Sequence, residues 1–266
     1  MRSLKRDMRF SIVIPNYNSE KYIERLFDSI KSQTCKDYEV IIVDDLSTDN
    51  SPEIIKKLKE PNWYFGVNDH KRYNGGTRNV GVELAQGDYI LFIDCDDYIY
   101  KTNALETLAK IIDEKHPDLI RLPYHYLVAK GEGSVSLAEP NLEKLTQTVF
   151  VAPWTKLIKR ELFVPFPENA LIEDVSQHIE QMDKIETMEC CPIPIIVWNC
   201  RNQQSISNPI QEKKSAKRQH SYLRILADLL DINVTKPYCI EHKNWRIRNY
   251  IKVTKEKLEE IERDYK

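Results

Sequence analysis

The stretch Tyr89–Tyr98 constrains the fold more than any other part of the chain. Its first five residues, Tyr89–Ile93, are all apolar. Three acids follow at once: Asp94, Asp96 and Asp97. A continuous apolar run predicts a strand that is buried on both faces, as in parallel sheets covered by helices. Ligands of open α/β sheets bind outside the carboxyl ends of the strands, so the three acids are predicted to lie at a ligand-binding edge.

This acidic cluster also indicates what it can bind. Neighbouring carboxylates disfavour one another's ionisation unless a cation or a positive side chain compensates their charge. Sites built only from oxygen ligands favour hard ions such as Mg²⁺ or Mn²⁺. An acidic surface turn after a core strand is the alternative interpretation, and only the rest of the chain distinguishes the two.

Three further strands are predicted before this stretch, each followed by a helix. They are Arg9–Ile14, Tyr38–Val43 and Trp63–Gly66. The alternation predicts right-handed crossovers and a Rossmann-like, mostly parallel sheet flanked by helices. If the strand order is 3-2-1-4, the first and fourth strands are neighbours at the switch point. The loop after Ile14, the acids Asp44 and Asp45, and the cluster after Ile93 then share one rim.

The second half of the chain continues this mixture of strands and helices. The predicted strands are Asp118–Leu122, Tyr124–Val128 (in a hairpin) and Ile193–Trp198; the predicted helices are Pro153–Phe163 and Val175–Ile185. Acids at a helix start are commonly caps favoured by the helix dipole. Capping is therefore the plainer interpretation of Glu173 and Asp174, and a catalytic role for Asp174 is the alternative.

The charge is unevenly distributed along the chain. Residues 211–266 carry 14 Lys and Arg against 9 Asp and Glu, whereas the net charge of the whole chain is −2. We predict a main domain over residues 1–208 and a basic helical extension over residues 209–266, with amphipathic helices at 211–232 and from Glu241 onward. Such helices pack on the main domain, form a homodimer or contact an anionic membrane. The acidic main domain argues against nucleic-acid binding.

The glycines and cysteines exclude several common sites. The segment Gly76–Gly81 has the glycine spacing of a P-loop, but Val82 and Glu83 stand where Lys and Ser or Thr are required. A diphosphate at this edge would therefore need a metal and an arginine, and Arg78 is the arginine nearest in sequence.

The chain contains no C-x-x-C pair, so the cysteines predict neither a zinc site nor a disulfide framework. No apolar run reaches the roughly 18 residues of a membrane span, so the cytoplasm is the expected location.

The order and spacing of these motifs resemble the family 2 glycosyltransferases, which are inverting, nucleotide-sugar-dependent enzymes with the A-type glycosyltransferase fold. The resemblance extends over about residues 9–207. Its pieces are SIVIPNYN (residues 11–18), VIIVDDLSTDNS (40–51), TRNVG (77–81), AQGDYILFIDCDD (85–97), WTKLIKRELF (154–163), Glu173-Asp174 and RNQQSIS (201–207).

The resemblance implies a role for each matching position. It implies that Pro15, Tyr17 and Asp45 hold the nucleotide base and that Asp94 faces the ribose. Asp96 and Asp97 would hold Mn²⁺ or Mg²⁺, and Arg78 would bind the donor. Arg201 and Ser205 would clamp the diphosphate, and Asp174 would be the general base. Leu46 stands where the family commonly has glycine.

The implied reaction is inverting transfer of a sugar, with UDP-sugars as the commonest donors, to a saccharide or lipid-linked acceptor during polysaccharide or glycoconjugate synthesis. One metal ion and one base suffice for a single displacement. A catalytically silent sugar-nucleotide-binding subunit is the alternative. A nucleotidyltransferase would share the sheet and the acids, but it usually has a glycine-rich basic loop where this chain has Pro15-Asn16-Tyr17-Asn18.

Overall fold

The computed structural model describes residues 8–128, 131–135, 141, 143, 151–168, 173–200 and 225–264. Its strands are β1 (Phe10–Asn16), β2 (Tyr38–Asp44), β3 (Tyr64–Val67), β4 (Tyr89–Phe92), β5 (Tyr98–Ile99), β6 (Leu119–Arg121), β7 (Tyr124–Val128), β8 (Gly131–Val135), β9 (Lys156–Lys159), β10 (Met188–Cys190) and β11 (Ile196–Asn199). Its helices are α1 (Ile23–Lys31), α2 (Ser51–Leu58), α3 (Tyr73–Leu84), α4 (Ala104–Lys115), α5 (Asp174–Lys184) and α6 (Pro237–Asp264), and residues 225–231 are also helical.

The main sheet has seven strands in the order β10-β6-β9-β4-β1-β2-β3. Strands β3, β2, β1 and β4 are parallel neighbours, which confirms the predicted order 3-2-1-4. Strands β1, β2 and β4 are almost fully buried because helices cover both faces of the sheet. The carboxyl ends of β1, β2 and β4 therefore lie side by side.

The predicted helix over Pro153–Phe163 is wrong. Lys156–Lys159 forms β9, which is antiparallel to both β4 and β6 in the middle of the sheet. Single 3₁₀ turns at Pro153–Thr155 and Arg160–Leu162 flank it. Short apolar runs fit a helix and a buried strand equally well, and here pairing with two neighbouring strands decides. Trp154 is buried against the rings of Tyr124 and Trp198.

A second sheet of four strands, in the order β5-β11-β7-β8, lies beside the first. Strands β7 and β8 pair antiparallel, as predicted for the hairpin. Strand β11 joins β5 to β7. Because β5 directly follows the acidic cluster, this sheet connects the cluster to the second half of the chain.

The C-terminal helix shares a hydrophobic core with the main sheet. Residues of β6, β9, α5, the helical segment 225–231 and α6 form one apolar cluster, which includes Leu119, Ile158, Ile179, Leu229 and Cys239. The described part of the C-terminal extension therefore packs on the main domain, which is one of the arrangements predicted for it. The predicted boundary between residues 208 and 209, and most of the predicted helix 211–232, lie outside the described residues. No helix in the described ranges is long and apolar enough to cross a membrane.

Gly87, in the loop between α3 and β4, lies in close contact with β1. It does not cap the preceding helix, because α3 ends at Leu84 and no described glycine has a positive φ. A Cβ atom at Gly87 would lie 2.6 Å from the backbone carbonyl carbon of Phe10 and 2.6 Å from the backbone nitrogen of Ser11. Glycine is needed here because the backbones approach closely, not because a helix ends.

Candidate active site

The loops after β1, β2 and β4 contact one another directly. The Asp45 N–H donates to the carbonyl oxygen of Asn16 over 2.8 Å, which joins the loops after β1 and β2. The thiol of Cys95 donates to the carbonyl oxygen of Pro15 over 3.4 Å, which joins β1 to the acidic cluster. The rim predicted from strand order is therefore present.

The two acids after β2 differ in their surroundings. Asp44 receives hydrogen bonds from the Asn16 amide and from both the N–H and hydroxyl of Ser47, so it holds the loops together. Leu46 follows with φ of +62°, a left-handed conformation that favours glycine. Leu46 therefore adopts a backbone conformation that glycine would reach at lower cost.

Asp45 is only 3% exposed and sits among four donors. Its Oδ1 accepts from the side chain of Asn68 (2.9 Å) and the N–H of Arg72 (2.8 Å); its Oδ2 accepts from the N–H of Tyr73 (2.9 Å) and lies 3.0 Å from Lys71 Nζ. Burial raises the pKa of Asp45, but these donors together lower it below its usual value. The carboxylate is therefore ionised at neutral pH.

Arg78 is buried in the second turn of α3. Its Nη2 donates to Asp94 Oδ1 over 2.6 Å and its Nη1 donates to Glu173 Oε1. The guanidinium is 2% exposed, and its Nε has no hydrogen-bond partner among the described residues. Burial alone would lower the pKa of Arg78, but Asp94 and Glu173 raise it by more than burial lowers it, so the side chain stays charged. Arg78 thus joins the acidic cluster to the acids at the start of α5.

Asp174 is the first residue of α5 and keeps part of its surface open to solvent. Burial of its neighbourhood raises the pKa of this carboxyl group, whereas the nearby charges of Lys156, Arg78 and Arg246 oppose that rise. Burial also raises the pKa of Glu173, which its ion pair with Arg78 offsets in part. A carboxylate with a raised pKa that solvent can reach is suited to accept a proton.

Two basic side chains near Asp174 are not apparent from the sequence. Lys156 of β9 is buried, donates to the carbonyl oxygen of Val151 over 2.8 Å and lies 3.2 Å from His178 Nδ1. Burial, with a contribution from Arg121, lowers the pKa of Lys156 to about 7. Arg246 belongs to α6 and is 7% exposed. Because Arg246 acts electrostatically on Asp174, the C-terminal helix contributes to the surroundings of the candidate base.

The predicted metal ligands differ in exposure. Asp97 is 1% exposed, and its Oδ1 accepts the N–H of Asn199 over 2.8 Å. Burial, Asp96 and Asp94 raise its pKa well above the usual value. Asp96 is partly exposed, and its carbonyl oxygen accepts from Arg25 over 2.7 Å. Within the described ranges, no three His, Cys, Asp or Glu side chains are already gathered as a metal cluster.

The remaining predicted residues lie at the same rim or outside the described part. Pro15 is buried at the end of β1, and Tyr17 is 47% exposed in the next loop. Asp94 keeps 29% of its side chain exposed. Arg201 and Ser205 lie outside the described residues.

Known proteins with similar sequences are glycosyltransferases. The poly(ribitol-phosphate) beta-N-acetylglucosaminyltransferase TarS of Staphylococcus aureus is 40% identical over 129 residues, which cover 47% of this chain and 22% of TarS. Glycosyltransferase GlyG of Streptococcus pneumoniae is 33% identical over 174 residues, which cover 58% of this chain and 57% of GlyG. The chain thus matches less than two thirds of either relative.

Solved structures share the fold. The structure of S. aureus TarS 1–349 in complex with UDP-GlcNAc matches 92% of this chain and 72% of that one, with a TM-score of 0.72 and 24% identity. The mannosyltransferase PcManGT of Pyrobaculum calidifontis, in complex with GDP-Man and Mn²⁺, matches 92% and 73%, with a TM-score of 0.62 and 15% identity. Both have the α/β arrangement predicted from the sequence.

The family model described as "Glycosyl transferase family 2" matches residues 11–163, which include all but the first residue of β1, the strands β2–β4, the acidic cluster and β9. This segment is more than half of the chain. The protein therefore belongs to glycosyl transferase family 2.

Proposed function

We propose that this protein transfers a sugar from a UDP-sugar to an acceptor hydroxyl with inversion at the anomeric carbon. The contact that supports this most strongly is the double ion pair of Arg78. It joins Asp94, at the edge where a donor would bind, to Glu173, which precedes the candidate base Asp174. This contact supports a donor site with the proton acceptor next to it, which a single displacement requires.

In this proposal the loops at the carboxyl ends of β1, β2 and β4 bind the donor. Pro15, Tyr17 and Asp45 hold the base, and Asp94 faces the ribose. Arg201 and Ser205 clamp the diphosphate. Arg78 acts on the donor through Asp94, because both of its Nη atoms already pair with carboxylates. This assigns Arg78 a positioning role in place of direct diphosphate contact.

The residues present fit a hard divalent cation. The candidate ligands Asp96 and Asp97 offer only oxygen atoms, and the desolvation and mutual repulsion around Asp97 favour a nearby positive charge. We propose that these two residues hold Mn²⁺ or Mg²⁺. The ion would supply charge stabilisation for the departing diphosphate.

Asp174 is the proposed general base. As the acceptor oxygen forms its bond to the anomeric carbon, its proton moves to the carboxylate of Asp174, and the bond from that carbon to the diphosphate oxygen breaks. No covalent enzyme intermediate is formed. The partial exposure of Asp174 leaves room for an acceptor, while Lys156 and Arg246 favour the ionised form of Asp174 that can accept the proton.

The relatives narrow the proposed substrates. TarS is named for N-acetylglucosamine transfer to poly(ribitol phosphate), and a Bacillus spizizenii relative, 45% identical over 97 residues, for glucose transfer to the same polymer. We therefore propose UDP-N-acetylglucosamine or UDP-glucose as donor and a polyol-phosphate or saccharide hydroxyl as acceptor, in polysaccharide or glycoconjugate synthesis. Homodimerisation, membrane contact, a cytoplasmic location and the domain boundary at residue 208 stay predictions.

Thermal unfolding with a set of nucleotides tests the donor class. UDP, UDP-N-acetylglucosamine and UDP-glucose, each with Mn²⁺, are expected to raise the Tm, because a ligand at a hundredfold excess over its Kd stabilises the folded state by about 2.7 kcal/mol. GDP-mannose at the same concentration is the matched control and is expected to have a much smaller effect. The absence of any shift with UDP compounds, with and without Mn²⁺, would contradict the proposal. UDP-sugar binding without turnover would favour the silent subunit.

A further inference from the structure

Lys71, in the loop between β3 and α3, occupies the face of the rim where the base is proposed to bind. Its Nζ lies 3.0 Å from Asp45 Oδ2 and donates to the carbonyl oxygen of Asp45 over 2.8 Å. The same nitrogen lies 3.0 Å from the centroid of the Tyr17 ring. One ammonium group therefore contacts two of the three residues to which the base is assigned, Tyr17 and Asp45.

Asp45 has no acceptor position left for a base while Lys71 is bound to it. A carboxylate offers about four lone-pair positions. Three of the four donors around Asp45 are two backbone N–H groups and the amide of Asn68, which is buried and also bonded to Thr77. The fourth is Lys71 Nζ. A base that donates an N–H group to Asp45 must replace one of these four.

Lys71 is the donor that can leave. Its side chain is 34% exposed and is carried on a flexible four-carbon stem, whereas the other donors are fixed by the backbone or buried. Tyr17 leads to the same conclusion, because a planar base can stack on its exposed ring only after the ammonium group moves away.

We propose that Lys71 is a displaceable occupant of the base subsite, which a uracil-type base replaces by donating its ring N–H to Asp45 and stacking on Tyr17. This inference rests on the proposed function. A base whose ring nitrogen only accepts hydrogen bonds, as in cytosine, gains nothing from Asp45. Displacement of Lys71 thus favours uracil over cytosine.

Isothermal titration with uridine tests the displacement, since uridine lacks the phosphates that a freed lysine could contact. Lys71→Ala is expected to bind uridine about tenfold more tightly than the wild type, because the ion pair and the cation–π contact need no longer be broken. Lys101→Ala is the matched control. Lys101 lies 5.8 Å from the Tyr100 ring, away from Asp45, and its loss should leave the affinity unchanged.

Amine labelling of the wild-type protein gives a second measurement. Uridine is expected to increase the modification rate of Lys71, measured by mass spectrometry, and to leave that of Lys101 unchanged. Protection of Lys71 by uridine, or unchanged or weaker uridine binding by Lys71→Ala, overturns the displacement while UDP binding by the wild type upholds the proposed function. If the wild type binds neither uridine nor UDP, both fail.

Discussion

Asp174→Asn is expected to lower the rate of sugar transfer by about a thousandfold while UDP-sugar binding stays within about twofold of the wild type. An amide of the same shape cannot accept the proton of the acceptor hydroxyl, and general-base catalysis typically contributes 10²- to 10⁴-fold. Donor affinity should persist, because Asp174 is assigned to the acceptor side. UDP release in the presence of acceptor measures the rate, and titration calorimetry measures donor affinity.

Glu180→Gln is the control for this variant. Glu180 lies six residues further along α5 and is partly exposed, so the same change of charge on the same helix should leave the rate nearly unchanged. If Asp174→Asn retains wild-type turnover, the general base is another residue. If it loses donor binding as well, Asp174 belongs to the donor site.

Arg78→Met is expected to destabilise the fold by about 3–5 kcal/mol, because it leaves the buried Glu173 and the half-buried Asp94 without their counter-charge. Urea unfolding at neutral pH measures this difference. Lys110→Met breaks an exposed pair with Glu106 (2.9 Å) and should cost no more than about 1 kcal/mol. The two substitutions separate a buried ion pair from a surface one.

Combining Arg78→Met with Glu173→Gln tests the cause of the loss. Removing the unpaired carboxylate should recover part of the stability, because the double variant no longer buries an uncompensated charge. A double variant that is less stable than Arg78→Met alone would show that lost packing, not lost pairing, dominates. Wild-type stability of Arg78→Met would show that the double ion pair is not important for folding.

The first half of the fold could be predicted because its signals are local. Strands β1, β2 and β4 are apolar runs that end at breakers or acids, and the strand–helix alternation then limits the strand order to few choices. The acids at the rim followed from that order. Strand β9 could not be predicted, because its four residues form a strand only by pairing with β4 and β6. Even the nearer of these two strands, β6, lies 35 or more residues away in sequence.

The residues of the candidate site could be predicted only where they belong to one continuous segment of sequence. Arg78 meets Glu173 across 95 positions of sequence, so its burial depends on how α3 and α5 pack and not on its own neighbours. The same applies to Lys156 and Arg246, which approach Asp174 from β9 and α6. Lys71 could not be predicted for another reason. A lysine in a polar loop is usually solvated, and only the three-dimensional positions of Tyr17 and Asp45 show that the Lys71 side chain occupies the proposed base subsite.

A crystal structure of the protein with UDP-N-acetylglucosamine and Mn²⁺ tests the central claim most directly, namely that acids from separate loops form one donor site beside one base. The account predicts uracil between Tyr17 and Asp45, the ion at Asp96 and Asp97, and the anomeric carbon facing Asp174. Density for the nucleotide at another surface, or a sugar directed away from Asp174, would contradict it.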